Sequence, residues 1–169
     1  MIRGKRTVTP VLIILLLIGL TGCDMLNGAD ANAPWKGTWS GVLEFVDGGY
    51  PVRSTITAQI SQQGDVLTGT LTIRTSTTDP ALTSDTTLRA SLSAVLVGVD
   101  EVEAVGSLEC TSISGTVDTF TFTSCSELPA YTQTGSFEAD LLAQNTIRAS
   151  LPDFASAYPE YADIRLNRK

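Results

Sequence analysis

Apolar and polar residues alternate with a period of two along most of the chain, the spacing of half-buried β-strands. Trp39, Gly41, Leu43 and Phe45 fall on one face of a first strand. Asp47-Gly48-Gly49 then supplies the left-handed backbone conformations of a tight hairpin turn. Val52, Ile56, Ala58 and Ile60 alternate with Arg53, Thr55, Thr57 and Gln59. After a second turn at Gln63-Gly64-Asp65, Leu67, Leu71 and Ile73 alternate with Thr68, Thr70, Thr72 and Arg74. These segments predict a three-stranded meander. Beyond a Thr- and Asp-rich loop around Pro80 the alternation resumes at Leu88, Ala90, Leu92, Ala94 and Leu96, then at Val102, Ala104, Gly106 and Leu108. Phe120 and Phe122, Phe137 to Leu141, Ile147 to Leu151 and Ile164 to Leu166 mark later strands.

About eight antiparallel strands with short connections predict an all-β fold, either a closed meander barrel or, alternatively, a two-sheet sandwich. The polar face is Thr, Ser and Arg, where an outer-membrane barrel would carry a lipid-facing apolar band. Many inward positions are small, among them Ala58, Gly69, Ala90, Ala94 and Ala149. Small residues either let walls approach or leave a cavity, and crystal-like packing density favours a filled core.

The first 33 residues break the pattern. Arg3, Lys5 and Arg6 precede an aliphatic run from Val11 to Leu20, interrupted by Gly19. About ten apolar residues suit the h-region of a signal peptide and fall short of the ~30 Å of hydrocarbon that an uncut anchor would have to span. The run ends in Leu20-Thr21-Gly22-Cys23, which resembles the lipobox of bacterial lipoproteins. That resemblance implies diacylglyceryl transfer to the Cys23 sulfur, cleavage after Gly22, and a bacterial envelope location with the domain outside the cytoplasm. Asp24 resembles the inner-membrane retention signal of enteric lipoproteins, and is equally the start of a polar tether. The expected organisation is a signal peptide over 1–22, a lipidated cysteine and flexible tether over 23–33, and a β-domain over 34–169.

The leader holds three basic residues and no acid, so 8 of the 11 basic and all 18 acidic residues remain beyond it, a net charge of −10. Such a chain is repelled by phosphate backbones and by anionic lipid, which excludes nucleic acid as a partner. Contact with the membrane is expected through the lipid on Cys23 alone.

Gly37-Thr38-Trp39 resembles the Gly-x-Trp of the first strand in lipocalin-like barrels. In that family a basic residue near the last strand stacks on the tryptophan, which implies such a role for Arg165, with Arg148 as the alternative. Cation–π contact of this kind contributes ~0.5–2 kcal/mol.

The chemistry is narrowed by composition. Without histidine, Ser-His-Asp and Cys-His machinery is excluded and the usual zinc and copper ligand sets fail. Beyond the leader the only lysines are Lys36 and Lys169. Glu44, Asp118, Glu138 and Asp140 are the carboxylates that glycosidase-type chemistry would need in pairs, and Asp100-Glu101-Glu103 is an acidic cluster without the ligand spacing of a calcium loop. No catalytic, cofactor or metal residue is assigned. The expected function is that of a non-catalytic, membrane-anchored module binding an unidentified protein or small ligand, or acting as a scaffold. The alternatives are an inhibitor of a hydrolase such as lysozyme or a protease, and a carboxylate enzyme.

Once Cys23 is lipidated, Cys110 and Cys125 are the remaining thiols, and in an oxidising compartment they are expected to pair. Their link demands a chain reversal near Val117-Asp118 that sets Ile113 against Phe122. Cys23→Ser should leave an unprocessed precursor that takes up no fatty-acid label, and globomycin treatment should leave the precursor uncut. A labelled Cys23→Ser protein would contradict the lipoprotein reading.

Overall fold

The structure, a computed structural model, describes residues 32–80, 82–98, 100–117, 120–127 and 133–169. The leader, Cys23, Asp24 and Asp118 lie outside them. Nine strands follow in order: β1 (Gly37–Asp47), β2 (Tyr50–Gln63), β3 (Val66–Thr77), β4 (Leu82–Val97), β5 (Glu103–Val117), β6 (Phe120–Phe122), β7 (Thr134–Ala143), β8 (Thr146–Ser150) and β9 (Ile164–Arg168). A one-turn helix, α1 (Pro152–Ala155), and a 3-10 turn (Pro159–Ala162) connect β8 to β9.

Eight strands close into an antiparallel barrel, β1-β2-β3-β4-β5-β7-β8-β9, with β9 returning to β1. The β4–β5 pairing that completes the ring decides for a barrel over a sandwich. The short β6 is the extra strand. It shares one edge of β5 with β7, which pairs along 103–109 while β6 pairs along 115–117.

Alternation turns most of the expected apolar residues inward, and the outside is mainly Thr, Ser and Arg with an exposed cross-strand row of Val66, Val95 and Val105. Trp39, Ile56, Ala58, Leu67, Leu71, Ile147, Ile164 and Leu166 are all buried. Burying each large side chain is worth roughly 1.5–3 kcal/mol. In β5 a register shift opposite Arg89 and Ala90 leaves Thr111 unpaired in the ladder, a β-bulge. The bulge changes the parity of the strand, so Leu108 and Ile113 are both buried despite their odd spacing.

Cys110 and Cys125 are joined, with Cα atoms 6.0 Å apart. The chain reverses between Val117 and Phe120, close to the expected place. The register differs: Phe122 lies opposite Gly115, not Ile113. The reason is that the bridge stands outside the ladder. β6 ends at Phe122, and Cys125 returns through a 3-10 turn (Cys125–Glu127). The Glu127 carboxylate holds that turn by accepting from the Thr123 and Ser124 amides at 2.7 and 3.0 Å. A bridge reached through a turn fixes proximity and leaves register to the strands.

β9 approaches β1 closely where it closes the barrel. A Cβ on Gly41 would stand 2.2 Å from the Arg165 carbonyl oxygen, so only glycine lets the two backbones approach there. β9 is five residues long and is the sole element between β1 and β8. Removing residues from Ile164 onward should leave two unpaired edges that template association. Light scattering should then show aggregation at concentrations where the intact domain is clear. A monomeric truncation with an unchanged melting midpoint would show that β9 is not needed for closure.

Candidate functional site

The two ends of the barrel are built differently. At the end where β1 begins, Trp35 and Trp39 are fully buried. Trp39 Nε1 donates to the Trp35 carbonyl at 2.8 Å, and Trp35 Nε1 donates to the Glu101 carbonyl at 3.1 Å. Gln62 accepts from the Trp35 amide at 3.1 Å. Both indoles thereby keep their donors satisfied while filling the end of the barrel. Glu101, in a positive-φ conformation at the β4–β5 turn, contributes its backbone to this plug; its side chain and those of Asp100 and Glu103 face solvent.

Arg168 completes the plug. Its guanidinium carbon lies 4.3 Å from the Trp39 ring centroid. The same group donates to the carbonyls of Pro34, Lys36 and Gln144. Burial lowers its pKa from that of a free guanidinium. Gly37 makes room for it: φ is +142° there, and a Cβ would meet the Arg168 guanidinium at 2.8 Å. The stacking residue is therefore Arg168, which corrects the expectation of Arg165 or Arg148. The cause is strand parity. Ile164, Leu166 and Arg168 point inward on β9, whereas Arg165 is exposed. Arg148 is also exposed and pairs with Asp163 at 3.0 Å.

At the opposite end the wall is uneven. β2 to β5 run 12 to 16 residues, whereas β8 has five. The connection from α1 through the 3-10 turn covers the low side and leans aromatic rings over the mouth. Phe45 on β1 packs against Tyr158 and Tyr161 with centroids 5.6 and 6.3 Å apart, and Phe154 meets Tyr161 at 5.7 Å. Asp153 anchors the connection by accepting from the Ser136 amide, which pulls its carboxyl below the usual carboxylate range.

Beneath these rings lies a cavity of about 230 Å³, bounded by Phe45, Val52, Ile73, Leu88, Ile113, Phe154 and Tyr158. One wall is polar. Thr75 and Thr86, cross-strand partners on β3 and β4, line it, and Ser54 on β2 is the partner of Thr75 on its other side. The Ser54 hydroxyl, fully buried, is within hydrogen-bond distance of Thr75 Oγ1 at 2.9 Å and of the Tyr161 hydroxyl at 3.0 Å. At the rim Tyr158 donates to the Asp47 carboxylate at 3.3 Å. An apolar hollow with a few convergent polar groups is the usual form of a small-molecule site, here just below the usual ~300 Å³ lower limit. A larger groove of about 540 Å³ adjoins it along the ends of β1, β2 and β3 and shares Phe45 and Val52 with it, but the Glu44–Arg53 ion pair lying in that groove is exposed and well solvated.

Among the described candidate carboxylates, Glu138 and Asp140 share the outer face of β7 and line one shallow hollow with Arg148, while Glu44 stands apart from them. Glu44 is on the outer face of β1, and Glu138 and Asp140 are on β7, with β8 and β9 between the two strands. Sequence reasoning missed Trp35, Ser54, Tyr158, Tyr161 and Arg168. Phe154, Tyr158 and Tyr161 are spaced i, i+4 and i+7, a helical signal within the segment read as a connection. Neither models of known protein families nor curated protein sequences match the chain.

Proposed function

We propose that the chain is a lipid-anchored lipoprotein of the bacterial envelope whose barrel binds a small, partly apolar ligand at its open mouth, without catalysis. The observation that carries this reading is the contrast between the ends. One is filled by Trp35, Trp39 and Arg168; the other keeps a 230 Å³ hollow under four aromatic rings. The lipobox at Cys23 supplies the anchor, and the chain enters the barrel at the plugged end. β1 runs from that end to the mouth over 11 residues, roughly 35 Å of strand. A tether of ten residues beyond Cys23 thus leaves the mouth facing away from the membrane and open to the surrounding compartment.

2-Phenylethanol, which matches the hollow in size, should bind residues 24–169 and shift methyl resonances of Val52, Ile73, Leu88 and Ile113 together in NMR titrations. Ile113→Phe, which adds volume at the wall, should weaken that binding about tenfold or more while leaving the remaining spectrum intact. Shifts scattered over the outer surface, or binding untouched by Ile113→Phe, would contradict the site.

A further inference from the structure

The mouth has a sign as well as a shape. Among the described residues, Asp47 is the one charged residue lining the hollow, and no lysine or arginine lines it. The nearby arginines are committed elsewhere: Arg53 pairs with Glu44 on the outer face, Arg148 pairs with Asp163, and Arg74 and Arg89 are exposed on the outside of β3 and β4. An anionic ligand would thus enter an apolar hollow past a carboxylate and find no counter-charge, while the protein beyond its leader carries a net charge of −10 over all. A cation meets the reverse. The Asp47 carboxylate is held at the rim by Tyr158, and the aromatic faces of Phe45, Tyr158 and Tyr161 surround the entrance. Aromatic faces attract cations through the ring quadrupole, more strongly where water is excluded.

We propose that the mouth selects a small monocationic amine, its ammonium beside Asp47 and its apolar body in the hollow against Ile73, Leu88 and Ile113. The hydroxyls of Thr75, Thr86 and Tyr161 lie along the wall and give a neutral hydrogen-bonding group on such a body a partner, so a hydroxylated aromatic or alkyl amine fills the site most completely. The volume limits the body to about the size of a single ring with a short chain. This inference rests on the reading of the mouth as a ligand site and adds the charge of the ligand to it.

Three probes on one skeleton separate the two claims: 2-phenylethylamine, 2-phenylethanol and 3-phenylpropionate, titrated into residues 24–169 by calorimetry or NMR at low ionic strength. The amine should bind about tenfold more tightly than the carboxylate, and its affinity should fall as salt is added while that of the alcohol stays constant. Asp47→Asn should bring the amine down to the alcohol and leave the alcohol unchanged. Asp47 ends β1 opposite Tyr50 and leaves the Gly48-Gly49 turn to the two glycines, and asparagine matches it in shape, so this variant keeps the fold. A carboxylate that binds as well as the amine, or an amine indifferent to Asp47→Asn, would overturn the charge selection and leave the pocket standing. Failure of all three probes would overturn both.

Discussion

The contact of Arg168 with Trp39 holds together what the strands alone would leave open. β9 is short, and its ladder with β1 is two residue pairs, Trp39 with Arg168 and Ser40 with Asn167. So small a seam would fray by itself. One side chain reinforces it by joining three parts of the chain: the indole at the start of β1, the Pro34 and Lys36 carbonyls of the entering segment, and the Gln144 carbonyl of the β7–β8 turn. Charge-assisted hydrogen bonds of this type contribute about 1.5–3 kcal/mol, and the stacking adds to them. Gly37 and Gly41 are the backbone conditions for that arrangement, one clearing space for the guanidinium and the other for the β9 backbone.

The open end follows from the same geometry. Because β8 and β9 are short and pinned at the plugged end, they cannot reach the height of β2 to β5. The chain covers the shortfall with α1 and the 3-10 turn, which bury Tyr161 against the core and leave Tyr158 exposed at the rim. A barrel closed tightly at one end and roofed loosely at the other has its cavity at the roof. The polar wall belongs to the same economy of positions. Ser54 is fully buried, and its hydroxyl is tolerated because Thr75 and Tyr161 satisfy it.

The strands and their facing were legible because one face of each is buried, and burial writes period two into the sequence. Trp39, Ile56, Leu71 and Leu92 needed nothing more. The turn at Gly48-Gly49 was equally plain, since both residues have positive φ. What stayed hidden depended on contacts between distant segments. Arg168 differs from Arg165 by parity alone, and parity at a chain end is read only by extending Ile164 and Leu166 two residues further. The Phe122 register was misplaced because a disulfide constrains distance while the 3-10 turn at Cys125 absorbs two residues. Tyr161 and Ser54 lie 107 residues apart, and no local pattern joins them.

The central claim is that Arg168 seals one end of the barrel and so fixes where the other opens. The chain has two tryptophans, both at that seal and both fully buried, so their fluorescence reports on it directly. Acrylamide quenching and emission maximum should be measured for the intact domain and for Arg168→Met, which keeps an unbranched apolar stem and removes the charge and its donors. The account predicts weak quenching and blue-shifted emission in the intact domain. In the variant it predicts severalfold stronger quenching, a red shift, and a loss of about 2–3 kcal/mol of stability. Tryptophans equally shielded in both proteins, with unchanged stability, would contradict it.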